Sequence, residues 1–336
     1  MTRTILASVA LVIVLASAAE VSPYGFVHFN GVWSDGVSGS ANPSGVFVAE
    51  FSGEKASHSD FAASQTTLGI NIRDSISNGR LILTGKFEGD FVNDYNLRLN
   101  HSFVNFLFSD IGLSILFGQS SALFVPYNPP TINYNKLIGA GNLYKERPQI
   151  RLTQKLGSTE IAAAARKDEG DYPAFEGRIN TTTPIKIGSS VFWASESELP
   201  SWGIAADIFA PVGIVIISGE FFTGQNLSSY GGLSEPFYNN VKFKVKSIGG
   251  WGALGFKASD NLSFNTGVGA ERITGEYWPS APWLNGVVFA NVSYKLKATT
   301  LTLEYYRHDT EYMWSRAVEH ETGSYNRIET AVTYEF

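Results

Sequence analysis

The last ten residues of the chain alternate strictly between two kinds of side chain. From residue 327 to residue 336, the even positions are apolar or threonine, and the odd positions are charged or small. A period of two places successive side chains on opposite faces, so this segment is one β-strand with an apolar and a polar face. The same two-faced pattern recurs from end to end of the chain. It predicts an all-β protein.

The connections between these strands come in two lengths that alternate along the chain. Short turns fall near 77–79, 109–110, 157–158, 183–184, 211–213, 259–261 and 297–298. Longer connections span 34–63, 92–96, 120–146, 168–173, 196–201, 223–246, 274–285 and 309–324. This rhythm predicts a closed antiparallel transmembrane β-barrel of about sixteen strands, with both termini on the short-turn side. A soluble β-sandwich or propeller also has alternating strands, but it does not explain the rhythm.

Composition agrees with a barrel in a membrane. Charged residues make up only 17% of the chain and aromatic residues 13%, whereas soluble surfaces are richer in lysine and glutamate. The chain has 0 cysteines, which excludes disulfides and thiolate metal sites. Its net charge of −6 argues against nucleic acid as a partner, because nonspecific binding to nucleic acid needs a basic face.

The first residues have the pattern of a secretory signal peptide. Arg3 precedes an apolar run over 5–15, and small residues at 16–19 form a cleavage site. The run is too short for a transmembrane helix, which needs about 20 apolar residues. We therefore expect a signal peptide over 1–19 and a single barrel domain over 20–336, located in the bacterial outer membrane and in contact with its lipid.

Four segments carry a resemblance to a known family. They are 65–70 (QTTLGI), 97–104 (LRLNHSFV), 117–121 (FGQSS) and 147–154 (RPQIRLTQ). In order and spacing they resemble the porins of the DcaP type, although Asn100 stands where a second basic residue is expected. The resemblance implies a trimeric barrel that passes small organic anions. It therefore implies a homotrimer, with small anionic or neutral solutes as partners.

The connection over 120–146 is the best candidate for a functional loop. Its roughly 27 residues exceed what a compact fold normally tolerates without a role. It contains prolines and aromatic residues and joins the fifth predicted strand to the sixth. We expect it to fold into the lumen and narrow it, although an extended outer flap or a subunit contact is the alternative. The candidate constriction residues are Phe124, Pro126, Tyr127, Tyr134 and Lys136.

Six cations fall on the polar phase of the early strands. A cation facing lipid near the midplane costs about 2–4 kcal/mol, so these side chains are expected to face the lumen. A ring of such cations favours anions. A solvated wall without preference is the alternative, because carboxylates such as Glu88 and Asp90 share the same phase. Arg98 and Arg151 are the strongest candidates, since they also lie in the matching family segments. The predicted pore-lining residues are Arg73, Lys86, Arg98, Arg151, Arg166 and Arg178.

The sequence offers little for catalysis. His101 stands beside Ser102, but neighbours on a strand point to opposite faces and cannot pair. The glycines at 250, 252 and 255 imitate a dinucleotide-binding motif, yet their segment alternates as a strand, so we interpret them as structural. We expect no enzyme activity, no cofactor and no metal site.

These observations predict an outer-membrane porin that admits small hydrophilic solutes by passive diffusion, with a preference for organic anions left open. The alternative is a barrel with a plugged lumen that serves as a structural or surface-binding protein. The chain ends Tyr334-Glu335-Phe336, and barrel proteins commonly end Tyr-x-Phe. We therefore expect the barrel assembly machinery to recognise Phe336.

Overall fold

The chain forms one large antiparallel sheet. The computed structural model describes residues 19–36, 57–93, 96–168, 172–196, 199–233, 237–238, 241–276, 281–313 and 320–336. Apart from Ala19, the predicted signal peptide lies outside these ranges.

The strands follow one another around the sheet in chain order. They are β1 Glu20–Ser34, β2 in two segments (His58–Ala62 and Thr67–Ile76), β3 Leu81–Asn93, β4 Asn96–Phe108, β5 Leu113–Ser121, β6 Glu146–Leu156, β7 Thr159–Arg166, β8 Ala174–Thr181, β9 Lys186–Glu196, β10 Leu199–Val212, β11 Val215–Gln225, β12 Lys246–Lys257, β13 Leu262–Ile273, β14 Ala281–Leu296, β15 Thr299–Met313 and β16 His320–Glu335.

The sheet closes on itself. β1 pairs antiparallel with β16, from Phe26 opposite Glu335 to Ser34 opposite Arg327. The sheet has 17 hydrogen-bonded segments, but the two segments of β2 pair with β1 in succession and form one spanning strand. The described residues therefore build a closed barrel of sixteen antiparallel strands, as the turn rhythm predicts. Closure pairs every strand on both sides, which the backbone requires inside a bilayer.

The two faces of β16 have the predicted orientation. Ile328, Val332 and Tyr334 are 41%, 43% and 50% exposed on the outer surface. Arg327 and Glu329 point inward and are 0% and 1% exposed. A slip of one residue would turn Arg327 towards lipid, and a cation there costs about 2–4 kcal/mol. The register of this strand is therefore fixed by its side chains.

Several outer connections are shorter than the sequence predicts. Those expected over 274–285 and 309–324 are shortened because β14 begins at Ala281, β15 continues to Met313 and β16 begins at His320. Asn93 also pairs with Asn96, and Glu196 pairs with Leu199, so strand pairing continues into the expected connections over 92–96 and 196–201. The physical reason is that the ladder is formed by backbone groups, which pair at polar positions such as Asn93, Asn96 and Glu196 as well as at apolar ones. In the described ranges a single 3-10 turn, Leu227–Tyr230, and a short hairpin of Phe237–Tyr238 with Val241–Lys242 lie outside the barrel sheet. No helix among the described residues is long and apolar enough to cross a membrane.

Candidate functional site

The connection between β5 and β6 packs against the barrel wall. The Ala122 N–H donates to the Lys145 carbonyl oxygen at 2.9 Å and draws the two ends of the loop together. Phe124 is 0% exposed, and its ring lies 4.8 Å from the Phe192 ring on β9 and 5.2 Å from the Tyr230 ring. This end of the loop is therefore held by an aromatic cluster. We call residues 122–145 the inner loop.

Carboxylates on the wall accept hydrogen bonds from the backbone of the inner loop. The Leu123 N–H donates to Glu176 on β8 at 2.5 Å, and the Tyr127 N–H donates to Glu220 on β11 at 2.7 Å. Both carboxylates are 4% exposed. A buried carboxylate is costly unless it is hydrogen-bonded, and bonds to a charged acceptor are stronger than neutral ones. The wall and the loop thus satisfy each other's polar groups.

A third carboxylate holds the middle of the loop. Glu304 on β15 is 1% exposed. It accepts from the Thr131 hydroxyl at 2.5 Å, the Ile132 N–H at 3.1 Å and the Asn133 N–H at 3.3 Å. Glu329 on β16 accepts from the Asn133 side chain at 3.5 Å. The inner loop therefore makes contacts from β8 to β16, half of the circumference.

Small residues let the loop backbone reach the wall. Gly141 has a φ of +102°, and a Cβ at this position would lie 2.1 Å from the Gly250 carbonyl oxygen and 2.6 Å from the Ala270 nitrogen. A Cβ at Gly269 would lie 2.3 Å from the Ala140 oxygen. The glycine run at 250–255 belongs to β12 and pairs along β13, so it lies on a strand rather than in a strand–turn–helix motif. Its first glycine touches the loop.

The other predicted constriction residues lie at different depths in the loop. Pro126 is half-buried, and the Tyr127 ring is half-buried beside Phe209, with the two centroids 6.1 Å apart. The Lys136 ammonium donates to the Thr131 carbonyl oxygen. Burial lowers the pKa of Lys136, while the Glu304 and Glu329 carboxylates act in the opposite direction. Lys136 therefore stabilises the inner loop through this hydrogen bond.

Tyr134 faces the opposite wall. The Arg98 guanidinium on β4 lies 5.6 Å from the centroid of the Tyr134 ring. Burial raises the pKa of the Tyr134 phenol, and the Arg98 charge opposes this rise. This contact brings the inner loop back to the early strands.

All six predicted cations face inward in the strand register, but four of them are paired with carboxylates. Arg98 binds Asp90 through Nε at 3.0 Å and Nη2 at 2.5 Å. Lys86 lies 2.9 Å from Glu88. A paired cation adds little net charge to a pore, so these two residues do not by themselves form a basic ring.

The other two paired cations are buried. Arg166 is 1% exposed and lies 2.8 Å from Glu176 and 3.2 Å from Asp168. Arg178 is 8% exposed and binds Asp207 at 2.6 and 2.8 Å. Isolated buried charges are unfavourable, so these pairs are integral to the wall under the inner loop.

Arg73 and Arg151 differ from the other four. Arg73 is exposed, and Arg151 donates through Nε to Gln149 Oε1 at 3.0 Å and through Nη2 to the Ser121 carbonyl oxygen. Among the described residues, neither has an ion pair with a carboxylate. They are the candidates for uncompensated positive charge in the lumen, and the selectivity role of all six cations stays a prediction.

Sequence reasoning did not find the wall carboxylates that hold the inner loop. Glu176, Glu220 and Glu304 occupy inward positions in the alternation of their strands. That alternation is the sequence signal that could have identified them as lumen residues. Each carboxylate, however, binds a loop residue that is far away in the sequence. The separations are 53 positions for Leu123, 93 for Tyr127 and 172 for Ile132. Alternation shows which face of the sheet a residue occupies, but it does not show which distant loop residue its side chain contacts.

Three of the described histidines, His28, His101 and His308, contact structural partners. His101 Nε2 lies 3.7 Å from Glu88 Oε1, and His28 Nδ1 lies 2.9 Å from the Thr333 hydroxyl. His308 Nδ1 lies 3.0 Å from the Tyr325 hydroxyl. In the described ranges no group of three or more His, Asp or Glu side chains is arranged to hold a metal ion.

Solved structures with the same architecture include an outer-membrane channel and an anion-selective porin. The outer-membrane channel DcaP of Acinetobacter baumannii is 20% identical, with a TM-score of 0.79, and the match covers 96% of this chain and 98% of that one. The anion-selective porin of Comamonas acidovorans is 11% identical over 95% and 100% of the chains, with a TM-score of 0.66. OmpF of Salmonella typhi is 10% identical over 94% and 97%, with a TM-score of 0.63.

No protein-family model and no curated protein sequence matches the chain. The likeness to DcaP confirms the fold expected from the four sequence segments. The chain therefore has the fold of the bacterial outer-membrane porins, and its apolar outer surface is that of a barrel spanning such a membrane.

Proposed function

We propose that this chain is a porin through which small hydrophilic solutes cross the bacterial outer membrane by passive diffusion. The observation that carries the proposal is an asymmetry inside the barrel. The inner loop covers the wall from β8 to β16, where Glu176, Glu220 and Glu304 are at most 4% exposed.

The opposite wall keeps its contact with solvent. The side chains of Lys86 and Arg98 on β3 and β4 are 27% and 34% exposed, and Arg73 on β2 is exposed. Both the partial exposure and the charge of these inward-facing groups fit a water-filled path between the inner loop and the early strands. The inner loop then limits the size of the solute.

We propose a weak preference for organic anions within this function. Four of the six predicted cations are compensated by carboxylates, which argues against a strongly basic pore. Arg73 and Arg151, which form no ion pair within the described part of the chain, provide the preference, because guanidinium groups match carboxylates in a bidentate geometry. The Comamonas porin is described as anion-selective.

We propose further that the barrel is a homotrimer and that the assembly machinery recognises its C-terminal strand. One OmpT structure of Vibrio cholerae with this fold is described as a trimer form, at a TM-score of 0.64 and 10% identity. The Phe336 N–H donates to the Gly25 oxygen at 3.1 Å, so the terminal residue takes part in closing the barrel. No catalytic step is part of the proposal.

A swelling assay tests the function. Liposomes containing the purified protein should swell in isotonic small sugars, at rates that fall steeply as the sugar becomes larger. Protein-free liposomes and liposomes containing the heat-denatured protein are the controls. Equal, background-level swelling for all sugars would favour the alternative, a plugged barrel with a structural or surface-binding role.

A further inference from the structure

Arg73 and Arg151 lie at the two ends of one row across the inner wall. Each member of the row lies opposite the next one on the neighbouring strand. In order across the sheet the row is Arg73, Thr84, Asn105, Leu116 and Arg151. Opposed residues of an antiparallel pair share a face, and neighbouring strands lie about 4.8 Å apart. The row therefore spans five strands on the solvent-exposed side of the lumen and carries positive charge at both ends.

Apolar side chains surround the middle of this row. Ile82 is opposite Leu107, while Phe103 and Leu107 lie two positions on either side of Asn105 on the same face of β4. Leu116 is opposite Asn105. These four apolar residues are thus neighbours on one inward face, and we call them the lumen patch.

The lumen patch is unusual for its position. Porin strands normally alternate apolar outward and polar inward. Here the second half of β4 also carries apolar side chains on its inward face, since Phe103 and Leu107 point inward while Val104 points outward and is 37% exposed. Ile82, Phe103 and Leu107 are only partly buried. Lipid contact does not account for this cluster of inward apolar residues, whereas contact with an apolar solute does.

The charge next to the patch indicates the chemistry of its occupant. Leu116, a member of the lumen patch, is opposite Asn105 on one side and opposite Arg151 on the other. Arg151 has no ion pair among the described residues, and its two hydrogen bonds go to neutral oxygens of Gln149 and Ser121. A guanidinium in this state binds a carboxylate well.

We propose that the lumen patch and Arg151 form a subsite for organic monoanions with an apolar body, such as aromatic or branched-chain carboxylates. The carboxylate binds Arg151, and the ring or branched chain lies over Phe103 and Leu107, while Leu116, which is 8% exposed, packs beside them as a buried neighbour. The subsite rests on the proposed porin function and specifies which solutes the pore takes best. It gives a solute with an apolar body an advantage over a small anion of equal charge.

Current block in a planar bilayer tests the subsite. Open channels in KCl are titrated with benzoate, acetate and the neutral benzyl alcohol. We expect benzoate to block at a several-fold lower concentration than acetate, and benzyl alcohol to block weakly. Equal potency of benzoate and acetate would contradict the apolar part of the subsite. Equal potency of benzyl alcohol and benzoate would contradict the binding of a carboxylate by Arg151.

Substitutions locate the effect. Phe103→Ser should reduce the ratio of benzoate potency to acetate potency several-fold, and Arg151→Gln should weaken both anions. Ile216→Ser is the matched control, because Ile216 is a partly buried apolar residue on the inward face of β11, across from Pro211. If Phe103→Ser does not form channels, Leu107→Asn tests the same patch.

The two proposals fail in distinguishable ways. A wild-type protein without KCl conductance would contradict the porin function and the subsite together. KCl conductance with an unchanged benzoate-to-acetate ratio in both patch variants would contradict the subsite alone.

Discussion

Asp90 holds Arg98 in a bidentate pair, with Nε and Nη2 of the guanidinium 3.0 and 2.5 Å from the two carboxylate oxygens. The same guanidinium lies 5.6 Å from the Tyr134 ring of the inner loop. One of the two strongest sequence candidates for anion selection is therefore neutralised by its neighbour at the point where the inner loop meets the early strands. The charge of the pore depends on such pairs as much as on the number of arginines.

Replacing Asp90 with asparagine should make the pore more selective for anions. The amide keeps the size of the side chain but leaves the Arg98 charge uncompensated. One unit charge at about 4 Å in water is worth about 1 kcal/mol, so the anion-to-cation permeability ratio should rise by up to about five-fold. Reversal potentials in a KCl gradient measure this. An unchanged potential would show that the pair lies outside the ion path.

Replacing Arg151 with alanine should lower the anion-to-cation permeability ratio, because this cation has no carboxylate partner among the described residues. The matched control is Arg80→Gln at a short turn, where the Arg80 side chain is 76% exposed beside Asp110. Reversal potentials should change in the first variant and stay constant in the second. Equal reversal potentials for the two variants would show that Arg151 does not contribute to the selectivity of the pore.

Replacing Glu304 with alanine should release the middle of the inner loop. The change removes the acceptor for Thr131, Ile132 and Asn133, and hydrogen bonds to a charged group contribute about 1.5–3 kcal/mol each. We expect larger current fluctuations and a changed mean conductance in single-channel records. Glu335→Gln is the control, because Glu335 forms an exposed pair with Lys295, and such pairs are worth about 1 kcal/mol or less.

The protein should run as a homotrimer in mild detergent. Light scattering coupled to size-exclusion chromatography measures the protein mass separately from bound detergent, and it should give three times the mass of one chain. Unheated samples on denaturing gels should migrate as a larger species that heating converts to the monomer. A monomeric mass under the mildest conditions would contradict the trimer.

The sequence predicts the barrel because alternation acts locally. In β16 the faces of Arg327 and Ile328 follow from a period of two and need no knowledge of neighbouring strands. The alternation of turn lengths gives the strand count, because each hairpin returns the chain to the same side. Both signals lie within a few residues of the feature that they predict.

The site is less predictable because its contacts join distant parts of the chain. A bulge at Asn100 shifts the pairing between Glu88–His101 and Gly89–Leu99, and Asn100 then donates to Asp90 at 2.9 Å. Alternation alone does not reveal a bulge. The wall carboxylates are a second case, since Glu304 meets a loop that begins about 180 positions earlier in the chain.

Single-channel conductance tests the central claim most directly. The purified protein in a planar bilayer, bathed in symmetrical KCl, should produce discrete steps of uniform size that scale with salt concentration, as a water-filled pore requires. The Glu304→Ala variant should change the step size or its noise, which links the conductance to the inner loop. Bilayers that contain the folded protein and yet show no steps would contradict an open lumen and with it the porin function.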